Sequence, residues 1–387
     1  MFSHISKDFF GNKHSFAVGL AFITMGILFG TWATFIPFVK HEFRLDDAQL
    51  GLLLLALPFG ALTMNPIAAL LIRKNGMQKS TILGWSFLLF GYLLILNAPN
   101  ILFLALFLFL TGAAISITNV SMNTCVGAIE HLQKIKIMST CHGMFSLGLM
   151  FGSLISSVFS GLGVIPGVYM AVVVGILIFG LLFARKTVLQ LPEETILNES
   201  PKAKFKMPSG SFLLMIIIGL CVNITEGSMA DWTAVYMREV VDTHKFYQGW
   251  GLTGYSLFMA VGRLLGDKII PIYGANKILF FGGILSVVGI SIAIFLPHTF
   301  SAILGFSIVG AGVSCCAPIL YASASRVPNM AKGSGLAMMN TFAMGGFLFG
   351  PVLIGFISKA YSLQIAFGLI AALGIVWVVQ SKRATLF

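Results

Sequence analysis

Charge is what this sequence most conspicuously lacks. Only 10% of its 387 residues are Asp, Glu, Lys or Arg, against 57% hydrophobic. A soluble globular chain carries roughly 25% charged residues. So little polar surface cannot cover a water-soluble globule of this length, and lipid must cover much of it. Cysteine is also sparse. Cys125, Cys141, Cys221, Cys315 and Cys316 all fall inside apolar runs, without the spacing of a metal site or a disulfide framework, and read as small core residues. Several signatures are absent: HExxH, a Walker Gly-rich Lys-Ser/Thr loop, GxSxG and a dinucleotide fingerprint. These absences tell against metalloprotease, serine hydrolase and nucleotide-dependent chemistry, and no cofactor is expected. The N-terminal stretch Met1 to His14 is polar and shows no cleavable signal, so the first apolar run should insert uncleaved.

What is present is a series of apolar runs, each near the roughly 20 residues needed to cross ~30 Å of hydrocarbon. They lie at 15–39, 48–72, 80–97, 100–126, 138–160, 165–184, 211–237, 249–266, 278–296, 299–322, 334–357 and 362–380. The expectation is an all-α integral membrane fold of twelve helices. Residues 1–184 form one six-helix bundle, 185–210 a solvated linker holding Glu193, Glu194, Glu199, Lys202, Lys204 and Lys206, and 211–387 a second bundle. Abundant glycine, 42 residues, suits close packing of membrane helices.

The formal charge of +11 could suggest nucleic acid, but its distribution argues for topology instead. With an even number of spans, 19 of the 24 Lys and Arg fall on the side of the termini and linker and 5 on the other. By the positive-inside rule the termini face the cytoplasm, and nucleic acid is not a partner. The expected partners are the lipid bilayer, a small solute and protons, with the chain as a monomer.

The two bundles repeat. Gly19-Leu20 matches Gly219-Leu220, Trp32 matches Trp232 and Gly51 matches Gly251, all at an offset of 200. Gly112 and Ser116 match Gly310 and Ser314, and Gly148 and Gly152 match Gly346 and Gly350, at 198. The drift from 200 to 198 reads as one small loop deletion. Parallel six-span repeats are an architecture in which two bundles rock around a shared site.

On this layout the chain resembles the major facilitator superfamily over essentially its whole length. Two stretches narrow the likeness: Asn119-Val-Ser-Met-Asn123 followed by Met138-Ser-Thr-Cys-His-Gly-Met-Phe-Ser-Leu-Gly148, and Glu226-Gly-Ser-Met-Ala-Asp-Trp232. They are similar to the bacterial YbjJ-type branch, distantly related to fucose–proton symporters. The resemblance implies secondary transport across the bacterial cytoplasmic membrane by alternating access. The central cavity it implies is lined by spans 1, 4, 7 and 10. It does not extend everywhere. The superfamily's acidic residue three places before Gly76 is Arg73 here, whereas Arg263 and Asp267 before Gly274 come closer to the usual pattern. Spans 1 and 4 also lack the mid-membrane acids of fucose symporters.

Charged side chains deep in a span are costly, roughly 2.5–3.5 kcal/mol at the centre, and so mark function. Glu226 in span 7 is the one clearly interior acid of the 13. It stands near the repeat position of Gly26 and shares a polar face with Asn223, Ala230 and Thr233. Desolvation disfavours a carboxylate's charge, which suits such a group to carrying a proton. The same residue could instead hold helices together. Asp231, about 140° around the helix, has Arg238 two turns away and suits an outer gate, a structural pair or direct contact with the solute. Trp32 and Trp232 could stack on a solute, seal the outer mouth or sit in an interfacial belt. Asn119 and Asn123, one turn apart, could bind solute hydroxyls or bridge helices. Glu130 suits an ion pair with Lys134 at i+4.

His142 is the one histidine inside a predicted span, either a proton relay or a structural residue, with Asn340 as its repeat mate. Arg263 and Asp267 form an i,i+4 pair, a gate latch or a plain helix pair. The leading expectation is proton-coupled symport of a small polar solute, a sugar-like one among the candidates. The alternatives are proton-antiport export of drugs or amphipathic metabolites, and a non-transporting sensor. The superfamily's Gly-Pro exchanger motif is missing from span 5, which leans toward symport.

Overall fold

The computed structural model describes residues 6–192, 208–328, 330 and 334–386; at 6, 7, 267 and 337 the backbone alone is described. Its α-helices are α1 (Lys13–Glu42), α2 (Asp47–Leu54), α3 (Ala56–Asn75), α4 (Met77–Ile95), α5 (Ile101–Gln133), α6 (Met138–Gly161), α7 (Pro166–Leu189), α8 (Gly210–Glu239), α9 (Trp250–Tyr273), α10 (Ala275–Phe295), α11 (Thr299–Val313), α12 (Cys316–Ala324), α13 (Ser334–Ala360) and α14 (Leu363–Arg383). Pairing α2 with α3 and α11 with α12 gives twelve segments, one for each expected span.

Ten of the twelve are long and apolar enough to cross a membrane among the described residues. The remaining two, α4 and α9, are diluted by Gln78 and Lys79 and by Arg263, Asp267 and Lys268. Side chains such as Phe179, Phe183, Phe295 and Phe300 are more than 70% exposed, which only a lipid environment tolerates in such numbers.

Local chemistry sets the helix ends. Asn12 accepts from the His14 and Ser15 N–H groups, and Asn100 from those of Leu102 and Phe103. Asp46 and Gln49 form a reciprocal capping box at the start of α2. Spans 2 and 10 are each split, and proline accounts for both breaks. Pro58 and Pro318 lack the N–H that would bond the carbonyls of Leu54 and Ser314, and the helices part at those residues.

The chain divides into two compact units. Unit 1 comprises Met1–Leu45, Leu53–Thr195 and His244–Thr253; unit 2 comprises Asp46–Leu52, Ile196–Thr243 and Gly254–Phe387. Each unit therefore takes in a short piece of chain from beyond the linker boundary that the sequence suggests. Helix α7 continues to Leu189, past the expected end of the first bundle, and the charged stretch 193–207 lies outside the described residues.

Packing corrects the register of the repeat. A β-carbon on Gly112 would lie 1.9 Å from the Leu57 carbonyl oxygen, and one on Gly310 would lie 2.0 Å from that of Tyr255. Gly51 faces the Pro351 carbonyl as Gly249 faces that of Ser153, and Gly76 and Gly274 end their spans at φ 80° and 83°. All of these pairs are 198 residues apart, so the mate of Gly51 is Gly249 and not Gly251. In spans 1 and 7 the shift is 197. Gly148 meets Ile23 O and Ile27 N, and Gly346 meets Leu220 O and Ile224 N. The mate of Trp32 is thus Met229, and that of Glu226 is Phe29 rather than Gly26. Three residues make nearly one helical turn, so the slipped alignment keeps similar faces together and looks plausible in the sequence.

The same seam differs in tightness between the units. In unit 1, β-carbons on Gly26, Gly30, Gly148 and Gly152 would come within 2.4 Å of backbone oxygens across α1 and α6. In unit 2, the corresponding approach of Gly350 on α13 to Ile224 O is 3.2 Å, and Gly227 meets the Phe347 ring, not a carbonyl, at 3.2 Å. Small residues let membrane helices touch backbone to backbone, and unit 1 uses this more fully.

Candidate functional site

Glu226 sits midway along α8, about 14% exposed, with Oε2 3.7 Å from Nη2 of Arg263 on α9. This is an ion pair beyond hydrogen-bond length. Oε1 is buried and has no hydrogen-bond partner among the described residues. Tyr255 on α9 and Cys316 and Tyr321 on α12 lie within electrostatic reach of Glu226. The Tyr255 hydroxyl is likewise buried without a hydrogen-bond partner. Buried polar atoms in native proteins are overwhelmingly paired, so two without partners beside one charged pair call for an explanation. Three helices of unit 2 therefore converge on one charged pair with unsatisfied polar atoms beside it.

The break in span 10 is part of this site. Ser314 Oγ donates to Ala311 O at 2.7 Å, and Cys315 Sγ donates to Gly262 O at 3.4 Å. Gly262 precedes Arg263, and a β-carbon there would lie 2.1 Å from Ser314 Oγ. The discontinuity thus packs directly against the turn of α9 that carries the arginine. Discontinuous helices at depth are tolerated where they are buried in protein or line a cavity.

The other sequence candidates are distributed differently. Asn223, about 8% exposed, donates to Gly219 O within its own helix at 2.6 Å. Thr233 does the same with Met229 O. They share a helix face with Glu226, but this amide and this hydroxyl are engaged along the helix. Asp231 is half-buried and makes no hydrogen bond or ion pair among the described residues. Arg238 does not reach it; its guanidinium donates to the Thr243 carbonyl instead. Arg263, read from sequence as the partner of Asp267, pairs with Glu226, and the Asp267 side chain lies outside the described residues.

Trp32 and Trp232 are 1% and 0% exposed, packed inside units 1 and 2 respectively. Burial this complete keeps both indoles away from lipid. The indole of Trp232 donates to Pro351 O at 3.2 Å, which explains its burial. Asn123, half-buried on α5, donates to both the carbonyl and the side-chain oxygen of the exposed Asn119, at 2.8 and 2.6 Å. His142 is half-buried and meets the Phe22 ring edge-on at 5.3 Å. Asn340 is exposed on α13. Glu130 caps α6, accepting from the Ile137 and Met138 N–H groups at 2.6 and 2.8 Å, rather than pairing with Lys134. All five cysteines are buried thiols, none of them in a disulfide.

Sequence reasoning missed Tyr255, Cys316 and Tyr321 because each looks ordinary in an apolar run. Pro318, four residues past Ser314, was the available signal for the break.

The comparisons agree with this architecture. The family model described as Major Facilitator Superfamily matches residues 17–243 and 216–384. An uncharacterized MFS-type transporter of Yersinia pestis is 33% identical over 97% of this chain and 96% of its own length. The membrane protein MosC of Rhizobium meliloti is 30% identical over 93% and 87%. Two crystal structures of the nucleoside transporter NupG, one of them a mutant, superpose with TM-scores of 0.74 for the mutant and 0.68. Each spans 96% of this chain, at 12% and 13% identity, and so shares the fold alone. Twelve helical segments in two repeated units, ten of them long and apolar enough to span a membrane among the described residues and matched over nearly their whole length by these relatives, establish that the chain is an integral membrane transporter, not an enzyme, belonging to the major facilitator superfamily.

Proposed function

We propose that this transporter is a proton-coupled symporter that brings a small polar solute into the cell through the cytoplasmic membrane, with both termini on the cytoplasmic side. The observation that carries the reading is the Glu226–Arg263 pair, a carboxyl at depth whose one oxygen is orphaned and whose other is only loosely held. Protonating Glu226 removes one of the pair's two charges and weakens its hold on Arg263. The break in span 10, bonded to the backbone beside Arg263, is the element that can respond. The proton gradient supplies the energy. The lysine and arginine bias supports the orientation.

A thermal-shift screen of the purified protein against sugars, amino acids, nucleosides and drugs at two pH values identifies a ligand. Proteoliposomes with an imposed pH gradient then test coupling. The wild type accumulates the ligand when the outside is acidic. Glu226→Gln keeps the ligand-induced thermal shift but loses gradient-driven accumulation. Accumulation equal to wild type in that variant would remove Glu226 from the mechanism, and accumulation under the opposite gradient would replace symport with antiport.

A further inference from the structure

Unit 2 carries a cavity of about 390 Å³ between α9, α10 and α11, away from the Glu226 carboxyl. Its size falls within the roughly 300–1,000 Å³ of small-molecule sites. Its rim is apolar and outward-facing: Phe258, Leu265 and Phe281 are 47, 40 and 57% exposed. Its floor is where α10 and α11 touch, a β-carbon on Gly282 coming 2.5 Å from Gly312 O. Gly262 and Cys315 form the back wall, so the cavity ends behind the turn of α9 that bears Arg263.

One end is different. Tyr273 and Lys277 line it, both exposed, and Lys277 is the one charged residue among the described lining residues. Lys382 sits over the Phe280 ring at 4.9 Å nearby, and Lys268 is exposed toward the end of α9. The described acidic side chains of unit 2 lie elsewhere, in α8 and around residues 46–47 and 239–242. From Phe258 to Tyr273 the helix rises ~22 Å, somewhat more than half of a ~30 Å hydrocarbon core.

A greasy slot of that reach, open on a lipid-facing surface and basic at one end, has the form of a phospholipid. We propose that this cavity is a specific site for an anionic phospholipid. One acyl chain lies against Gly262 and Cys315, and the headgroup phosphate pairs with Lys277. Zwitterionic lipids fill the slot less well, because they do not offset the local positive charge. Bound there, the chain braces the break in span 10 from the side opposite the Glu226–Arg263 pair.

Native mass spectrometry of the full chain, extracted into detergent with equal phosphatidylglycerol and phosphatidylcholine, tests the site. The wild type should retain one phosphatidylglycerol with a preference of about five-fold, the scale of one lysine at a membrane surface. Lys277→Gln should abolish the preference, and Lys277→Arg should keep it. Ala311→Leu, which fills the slot, should lower retention of both lipids. A diazirine-tailed phosphatidylglycerol should label peptides containing Val261 or Leu285. No preference in the wild type, a preference unchanged by Lys277→Gln, or labelling confined to other helices would each overturn the proposal.

Discussion

The pair formed by Glu226 and Arg263 is costly to halve. Removing one partner of a largely buried pair leaves the other charge less well compensated, whereas neutralising both removes the problem. Glu226→Gln and Arg263→Gln should each lower the thermal midpoint in detergent, and the double variant should be no less stable than either. Groups in direct contact couple by about 0.5–3 kcal/mol, and a double-mutant cycle on unfolding midpoints measures this. Simple additivity would show that the two side chains do not sense each other. Glu226 was legible in the sequence because an acid inside an apolar run has few innocent explanations. Its partner was not. Arg263 lies within reach of Asp267 by helix arithmetic, and that local rule hides a contact made 37 residues back along the chain. For Trp32 and Trp232 the sequence left an interfacial belt among the readings, because tryptophan is common there; that both are fully packed is visible only in the tertiary structure.

Among the elements, glycines divide into those that carry a helix seam and those that do not. At Gly26, Gly30 and Gly152 a β-carbon would sit within 2.4 Å of a carbonyl on the facing helix. At Gly175 and Gly180 nothing lies within 4 Å. Gly152→Ala should therefore destabilise by about 1–3 kcal/mol or more through overpacking, while Gly175→Ala should leave the midpoint unchanged or slightly raised. Fluorescence-detected thermostability separates the two, and equal effects would contradict the seam. The glycine periodicity announced close packing, and the apolar runs announced the spans. The internal shift of about one turn between spans 1 and 7 was not legible, because a turn's slip preserves the face that pattern matching compares.

A second element-scale feature is the start of α2. The Gln49 N–H donates to Asp46, and Lys359 stands 2.9 Å from its other oxygen; together they hold the Asp46 carboxyl below the usual carboxylate range. A carboxyl depressed in the folded state stabilises at pH above its unfolded value and loses that contribution as pH falls through its folded value. The difference in thermal midpoint between wild type and Lys359→Gln should be steady at neutral pH and vanish in acid below the ordinary carboxylate range. A difference that grows on acidification would show that another group governs it.

For the whole molecule, the sequence made the membrane class and the duplication plain through scarcity of charge and recurrence of glycine. It also allotted 19 basic residues to one side and 5 to the other. Cysteine variants at Lys382 and at Lys359 should label with a membrane-impermeant maleimide from opposite faces in intact cells, with the Lys359 position reached from outside. Labelling of both from the same side would undo the twelve-span count.

The exchange of short segments has a consequence for how the chain is made. Residues His244–Thr253 belong to unit 1 although they are translated after the whole of α8. The first unit is therefore unfinished when its sixth helix leaves the ribosome, and it waits for some 50 more residues before its last pieces arrive. The second unit, by contrast, holds Asp46–Leu52 from the outset. Severing the gene at the linker would leave each product short of a stretch that only the other fragment can donate.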